Sequence, residues 1–90
     1  MQDEEILWGL EALVQSLAID LRYEKGDFVG GLCRLEDKRL LILNQDLPVS
    51  RKIKILAGEL GTMDLEGVYI LPALRKVIEE GGSEGRAMIG

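Results

Sequence analysis

Three short apolar segments, separated by turn-forming residues, constrain the fold of this chain more than any other feature. They lie at residues 21–24, 28–35 and 39–44, and the stretches between them are Lys25-Gly26-Asp27 and Glu36-Asp37-Lys38. Gly and Asp in such short stretches are typical of tight turns. Strands that follow one another through turns of this length usually pair as antiparallel neighbours. The sequence therefore predicts a three-stranded antiparallel meander.

The third segment contains the unbroken apolar run from Leu40 to Leu43. A strand with one face in solvent alternates polar and apolar residues, whereas a continuous apolar run indicates burial on both faces. We therefore expect this strand at the centre of the sheet or beneath a helix. In the second segment, the pair Gly30-Gly31 weakens the strand and indicates a bulge or the close approach of another backbone.

Helical periodicity flanks the three strands on both sides. Residues 4–19 place apolar side chains at intervals of three and four, which predicts an amphipathic helix. Pro48 begins a second helix, and Pro72 begins a third that ends at Gly81-Gly82. The order of elements is α-β-β-β-α-α. This order predicts an α+β domain with its helices on one face of a small sheet.

Length and composition agree with one small globular domain. The chain has 90 residues, of which 47% are hydrophobic and 30% charged, with a net charge of -5. We expect residues 1–80 to form the domain and the glycine-rich residues 81–90 to form a flexible tail. The sequence shows no secretion signal and no apolar stretch of membrane-spanning length, and Cys33 is alone. A cytoplasmic protein without a membrane partner is therefore expected.

The absence of histidine excludes several classes of enzyme. Histidine is the commonest general base and zinc ligand, and Ser-His and Cys-His nucleophile pairs require it. The acidic residues that occur in pairs in this chain are adjacent in sequence, so we expect their carboxylates on the surface rather than converging on one site. The basic cluster Arg51, Lys52 and Lys54 has no interleaved aromatic residues and is typical of a solvated helix face. The sequence thus predicts no catalytic, cofactor-binding or metal-binding residue and no nucleic-acid partner.

One motif nevertheless resembles a known catalytic family. An apolar strand ending in Asn44 and a Leu-Pro turn precede a helix that contains Ala57-Gly58-Glu59-Leu60-Gly61-Thr62. Over about residues 18–62 the chain resembles the zinc metallopeptidases of the ImmA/IrrE type, in which this helix carries His-Glu-x-x-His. In that motif the two histidines bind zinc and the glutamate activates water.

The two histidine positions of the motif are changed in this chain. Gly58 stands at the first and Thr62 at the second, while Glu59 remains. The resemblance therefore implies a degenerate, non-catalytic form of the fold, in which Gly58, Glu59 and Thr62 are a vestigial motif and no zinc is bound.

Two functions remain open on these observations. The first is a small non-enzymatic domain that acts through protein contacts, including contacts with itself. The alternative is a catalytically dead metallopeptidase-like remnant, with a regulatory role or one in which it binds a peptide along its sheet edge. An enzyme that uses carboxylates alone is disfavoured because no convergent pair is visible.

The first helix favours a homodimer. Its apolar residues cover more than half of its circumference, whereas a helix on one small sheet needs an apolar stripe of about 100°. Leu7, Trp8 and Val14 are the possible interface residues. In the alternative, this surface is covered by the third helix and the tail residues Ala87, Met88 and Ile89. If the first helix is not the interface, a sheet edge is the next expected place.

Overall fold

The computed structural model describes the backbone of residues 2–89 and the side chains of residues 2–81. Its elements are α1 (Asp3–Ser16), β1 (Ile19–Glu24), β2 (Gly30–Leu35), β3 (Lys38–Asn44), α2 (Val49–Leu60) and α3 (Pro72–Ile89). Three helices and a three-stranded sheet in this order confirm the predicted α+β class. Within this part of the chain, no helix is long and apolar enough to cross a membrane.

The sheet is mixed, so the predicted antiparallel meander is wrong. The strand order is β1-β3-β2, so β3 lies at the centre, which is one of the two positions expected for it, whereas a meander would have β2 there. β2 pairs antiparallel with β3, as expected, but β1 pairs parallel to β3, with Leu21 opposite Leu41. The error arises because residues 25–29 do not form a hairpin turn. These residues cross the end of β3, so that β2 pairs with the edge of β3 opposite to the one that pairs with β1.

Asn44, the last residue of β3, holds this crossover in place. Its Nδ2 group donates hydrogen bonds to the backbone carbonyls of Gly26 and Phe28, each at 2.7 Å. Its backbone N–H donates to the carbonyl of Val29 at 3.0 Å, and its Oδ1 accepts from the N–H of Asp46 at 3.0 Å. One asparagine therefore satisfies several backbone groups of the loop and fixes the path of the chain.

The helices cover one face of the sheet. α1 packs against β1, α2 packs against β2, and α3 packs against both helices. Leu41 and Leu43 of β3 point into this layer and are buried. Leu40 and Ile42 point to the opposite face by strand alternation and are only half-buried. The expected burial of β3 on both faces is therefore wrong, because the helices of the described part of the chain lie on one side of the sheet.

The close backbone approach predicted at the glycine pair is confirmed at Gly30. A Cβ atom at this position would collide with the carbonyl oxygen of Ile42 and would lie 3.1 Å from the Cα of Leu43. Gly31 has open space at the corresponding position. Only the first of the two glycines is therefore required by the contact between β2 and β3.

Two helix ends differ from the sequence predictions. α1 ends at Ser16, before residue 19, because Ala18 has a positive φ of 61° and Ile19 already pairs in the sheet. α3 begins at Pro72 as expected but continues through Gly81-Gly82, so the predicted end at that pair is wrong. The side chains of residues 82–90 lie outside the part of the chain that the structure describes. The flexible tail and the contacts expected of its side chains therefore stay predictions.

Candidate functional site

The vestigial motif lies at the C-terminal end of α2. Gly58 and Glu59 are half-buried, and Thr62 is exposed. The hydroxyl of Thr62 donates to the backbone carbonyl of Glu59 at 2.7 Å, so it satisfies a group at the helix end. A Cβ atom at position 58 would lie 3.8 Å from the carbonyl oxygen of Gly81 in α3. A side chain as long as histidine at this position would therefore have to fit against α3.

No cluster of metal ligands accompanies this motif. Across residues 2–81, no group of three or more His, Cys, Asp and Glu side chains could hold a metal ion. The three residues of the motif therefore share one helix end but form no assembled zinc site with other side chains of this range.

We expect the purified protein to carry no stoichiometric zinc. The chain has no histidine and a single cysteine. Carboxylate oxygens alone bind zinc weakly unless several of them converge. Elemental analysis of the desalted protein checks this expectation, and one zinc ion per chain would contradict it.

A separate polar cluster joins α1, β1 and α2. The hydroxyl of Tyr23 donates a hydrogen bond to the carboxylate of Glu11, and the ammonium group of Lys52 lies 5.1 Å from the centroid of the tyrosine ring. Burial raises the pKa of Tyr23, and the hydrogen bond and negative charge of Glu11 raise it further. Because each group has a partner inside the cluster, these side chains tie three elements of the fold together.

The variant Tyr23→Phe should lose about 1–2 kcal/mol of its free energy of unfolding at neutral pH, because Glu11 loses its donor. The pKa of Tyr23 in the folded protein lies above its value in the unfolded chain, about 10. Its stabilising effect is therefore complete below about pH 10 and is lost as the pH rises further. Urea denaturation of both proteins from neutral to strongly alkaline pH measures the difference, which should shrink above about pH 10. A constant difference would contradict this account.

Only one of the three interface residues predicted on α1 lies at the surface. Trp8 is 64% exposed, whereas Leu7 and Val14 are buried in the core. The reason is that α1 packs against β1, α2 and α3 rather than against the sheet alone. The contact with α3 is close at Gly9, where a Cβ atom would lie 2.7 Å from Cδ1 of Leu74. Most of the apolar surface of α1 is thus used within the fold, and of the three predicted interface residues Trp8 alone stays available to a partner.

An apolar groove lies on the face of the sheet that the helices leave uncovered. Its volume is about 570 Å³, and it is bordered by Glu24 at the end of β1, by the crossover loop, and by β2 and β3. Val29 and Phe28 of the loop line it, together with Cys33 and Ile42. Val29 is 47% exposed, and Leu35, farther along β2, is 70% exposed. We call this surface, comprising Phe28, Val29, Cys33, Leu35 and Ile42, the open face.

β2 borders the open face as an edge strand without the usual protection. Among the residues that the structure describes, it pairs with β3 alone, and its own six residues include one charged side chain, Arg34, and no proline. The other edge strand, β1, carries Asp20, Arg22 and Glu24, and the first two form an ion pair at 3.2 Å. Charged residues on an edge strand oppose the addition of another strand. β2 is therefore the less protected of the two edge strands.

Comparison with known proteins does not identify this site. No family model, no curated protein and no solved structure matches the chain. The resemblance to metallopeptidases therefore stays an expectation from residues 18–62, and the candidate site is defined by the geometry of β2 and the open face.

Sequence reasoning did not select Val29 or Leu35 as site residues, although a signal for them exists. Residues 29, 31, 33 and 35 occupy alternate positions and carry no charge. In the predicted meander, β2 would be the middle strand, and the low charge of a middle strand indicates burial rather than a binding surface. The same residues indicate a binding edge only once β2 lies at the side of the sheet.

Proposed function

We propose that this chain is a small non-enzymatic domain that acts through protein contacts made by the β2 edge and the open face. The observation that carries the proposal is an unprotected strand edge beside exposed apolar side chains, above all Leu35 and Val29. The edge offers unpaired backbone groups to an added strand, and the apolar side chains lose water contact when that strand binds.

The use made of the polar groups supports a non-enzymatic role. Thr62 and Asn44 donate hydrogen bonds to backbone carbonyls, and Tyr23 donates one to the carboxylate of Glu11. Within residues 2–81, the core contains no buried polar or charged residue. Enzyme sites usually contain ionisable groups held in perturbed surroundings and directed into a cleft. The groups described here instead contact one another or the backbone.

A second candidate is the degenerate metallopeptidase-like remnant that binds an extended peptide. The packing of α2 against β2 favours it, because the helix with the vestigial motif then lies next to the unprotected edge. In this case the occupant of the edge would be a segment of another protein, and the chain itself would remain monomeric.

A peptide titration tests whether the β2 edge accepts a strand. The probe is a synthetic peptide with the sequence of residues 28–36, added to isotope-labelled protein under reducing conditions and followed by NMR. We expect the amide resonances of β2 to shift, and those of β1 to stay. A peptide with the sequence of residues 19–24, which carries the charges of β1, is the matched control. If neither peptide moves the resonances of β2, the proposed function is wrong.

A further inference from the structure

We infer that the strand added at the β2 edge is β2 of a second copy of this chain, paired antiparallel about a two-fold axis at Leu32. This inference rests on the proposed function and names its partner. A two-fold dimer uses the same surface on both copies, so a single unprotected edge per chain is sufficient to form it. The product is a continuous six-stranded sheet, twice the three strands of one copy.

The charged strand β1 gives this assembly a defined end. After β2 pairs with β2, both outer edges of the combined sheet are β1 strands. Each carries Asp20, Arg22 and Glu24, which oppose the addition of further strands. Pairing through β2 therefore closes at two copies, and the distribution of charge between the two edges favours a dimer over a fibre.

Side-chain alternation restricts the register of the pairing. Residues directly opposite each other in an antiparallel pair point to the same face of the sheet. The two-fold axis must therefore pass midway between one residue and the same residue of the second copy. With the axis at Leu32, the exposed Leu35 lies opposite the partner's Val29, and both are on the open face. Val29 belongs to this alternation because its carbonyl accepts the N–H of Asn44, which continues the register of β2 with β3.

The same register avoids conflicts of charge and space. Arg34 lies opposite the partner's Gly30, and the two arginines stand four residues apart along the strands, about 14 Å, beyond the screening length of about 8 Å. Cys33 lies opposite the partner's Gly31, where open space is available. With the axis at Cys33 instead, the two copies of Arg34 would be diagonal neighbours at about 7–8 Å, and Val29 would have no apolar partner.

In this arrangement an apolar side chain of one copy lies at the rim of the other copy's groove. Val29, Gly31 and Cys33 line the groove, and they lie opposite Leu35, Cys33 and Gly31 of the second copy. Leu35, which is exposed in one copy, therefore packs at the rim of the groove of the other copy beside Val29. The most exposed apolar residue of β2 and the groove are thus complementary across the two-fold axis.

Light scattering of the full chain across a hundredfold range of concentration, under reducing conditions, tests the dimer. We expect the mass to rise from one copy toward two. Leu35→Lys should raise the dissociation constant at least about tenfold, because the lysine ammonium would be brought against Val29. Leu71→Lys is the matched control, since Leu71 is also exposed but lies outside the sheet. Circular dichroism confirms that both variants are folded.

A cysteine variant tests the register. Gly31→Cys places its thiol opposite the native Cys33 of the partner, so oxidation should give a covalent dimer much faster than in the unmodified chain. Wild-type protein that forms the covalent dimer at the same rate would overturn the axis at Leu32. A monomeric mass at every concentration, or a dimer that Leu35→Lys leaves unchanged, would overturn the inference. The proposed function would then stand or fall separately on the peptide titration.

Discussion

The variant Leu56→Ala should lose about 2–5 kcal/mol of its free energy of unfolding. Leu56 lies in the middle of α2, and its side chain is 0% exposed. It belongs to the core cluster that α2 forms with α1, α3 and the sheet. Truncation removes apolar contacts and leaves a cavity that the close-packed neighbours cannot fill without moving. Urea denaturation followed by circular dichroism measures the loss.

Lys54→Ala provides the control on the same helix. Lys54 is exposed, so its truncation should change the free energy of unfolding by no more than about 0.5 kcal/mol. The two variants share the loss of a long side chain from α2 and differ in the face from which it is removed. Equal losses in both variants would show that α2 presents a different face to the core.

The burial of α2 could be predicted because it depends on spacing within the helix alone. Within the sequence of α2, four apolar residues follow one another at a spacing that predicts a single stripe, and the structure buries three of them and half-buries the fourth. These residues are Leu56, Ala57 and Leu60, with Ile53 as the fourth. Side chains three and four positions apart share a face of any α-helix, whatever the helix packs against.

The pairing of β1 could not be predicted because it depends on contacts between residues distant in sequence. Lys25-Gly26-Asp27 is compatible with a hairpin and with a crossover alike. The hydrogen bonds of Asn44 to Gly26 and Phe28 favour the crossover, and they exist only in the folded chain. Parallel strands need a connection of about a dozen residues, and the chain between β1 and β3 provides it by including β2.

The candidate site could not be predicted from the sequence for the same reason. The low charge of β2 is visible in the sequence, but its meaning changes with the order of the strands. At the middle of a sheet it indicates burial, and at the edge it indicates a surface open to another strand. By contrast, Leu7 and Val14 are not available for the interface predicted on α1, because they pack in the core that α1 forms with the other elements. The periodicity of α1 alone does not show which of its apolar residues that packing buries.

The variant Gly30→Ala should lose about 2–4 kcal/mol of its free energy of unfolding. Gly30 has a positive φ of 140°, which residues with a side chain rarely adopt. An added Cβ would also collide with the carbonyl oxygen of Ile42 and approach the Cα of Leu43 to 3.1 Å. Both atoms belong to the backbone of the central strand, so neither can move away without disturbing the pairing of β2 with β3. Urea denaturation measures the loss.

Gly31→Ala separates this collision from the general effect of replacing a glycine. A Cβ at Gly31 would meet no heavy atom of the described residues within 4 Å, so the native strand can accept it. Alanine also restricts the unfolded chain more than glycine, which opposes any small loss. We therefore expect a change of no more than about 0.5 kcal/mol for Gly31→Ala. If both variants lost stability equally, the cost would come from glycine flexibility in β2 rather than from the approach of β3 at Gly30.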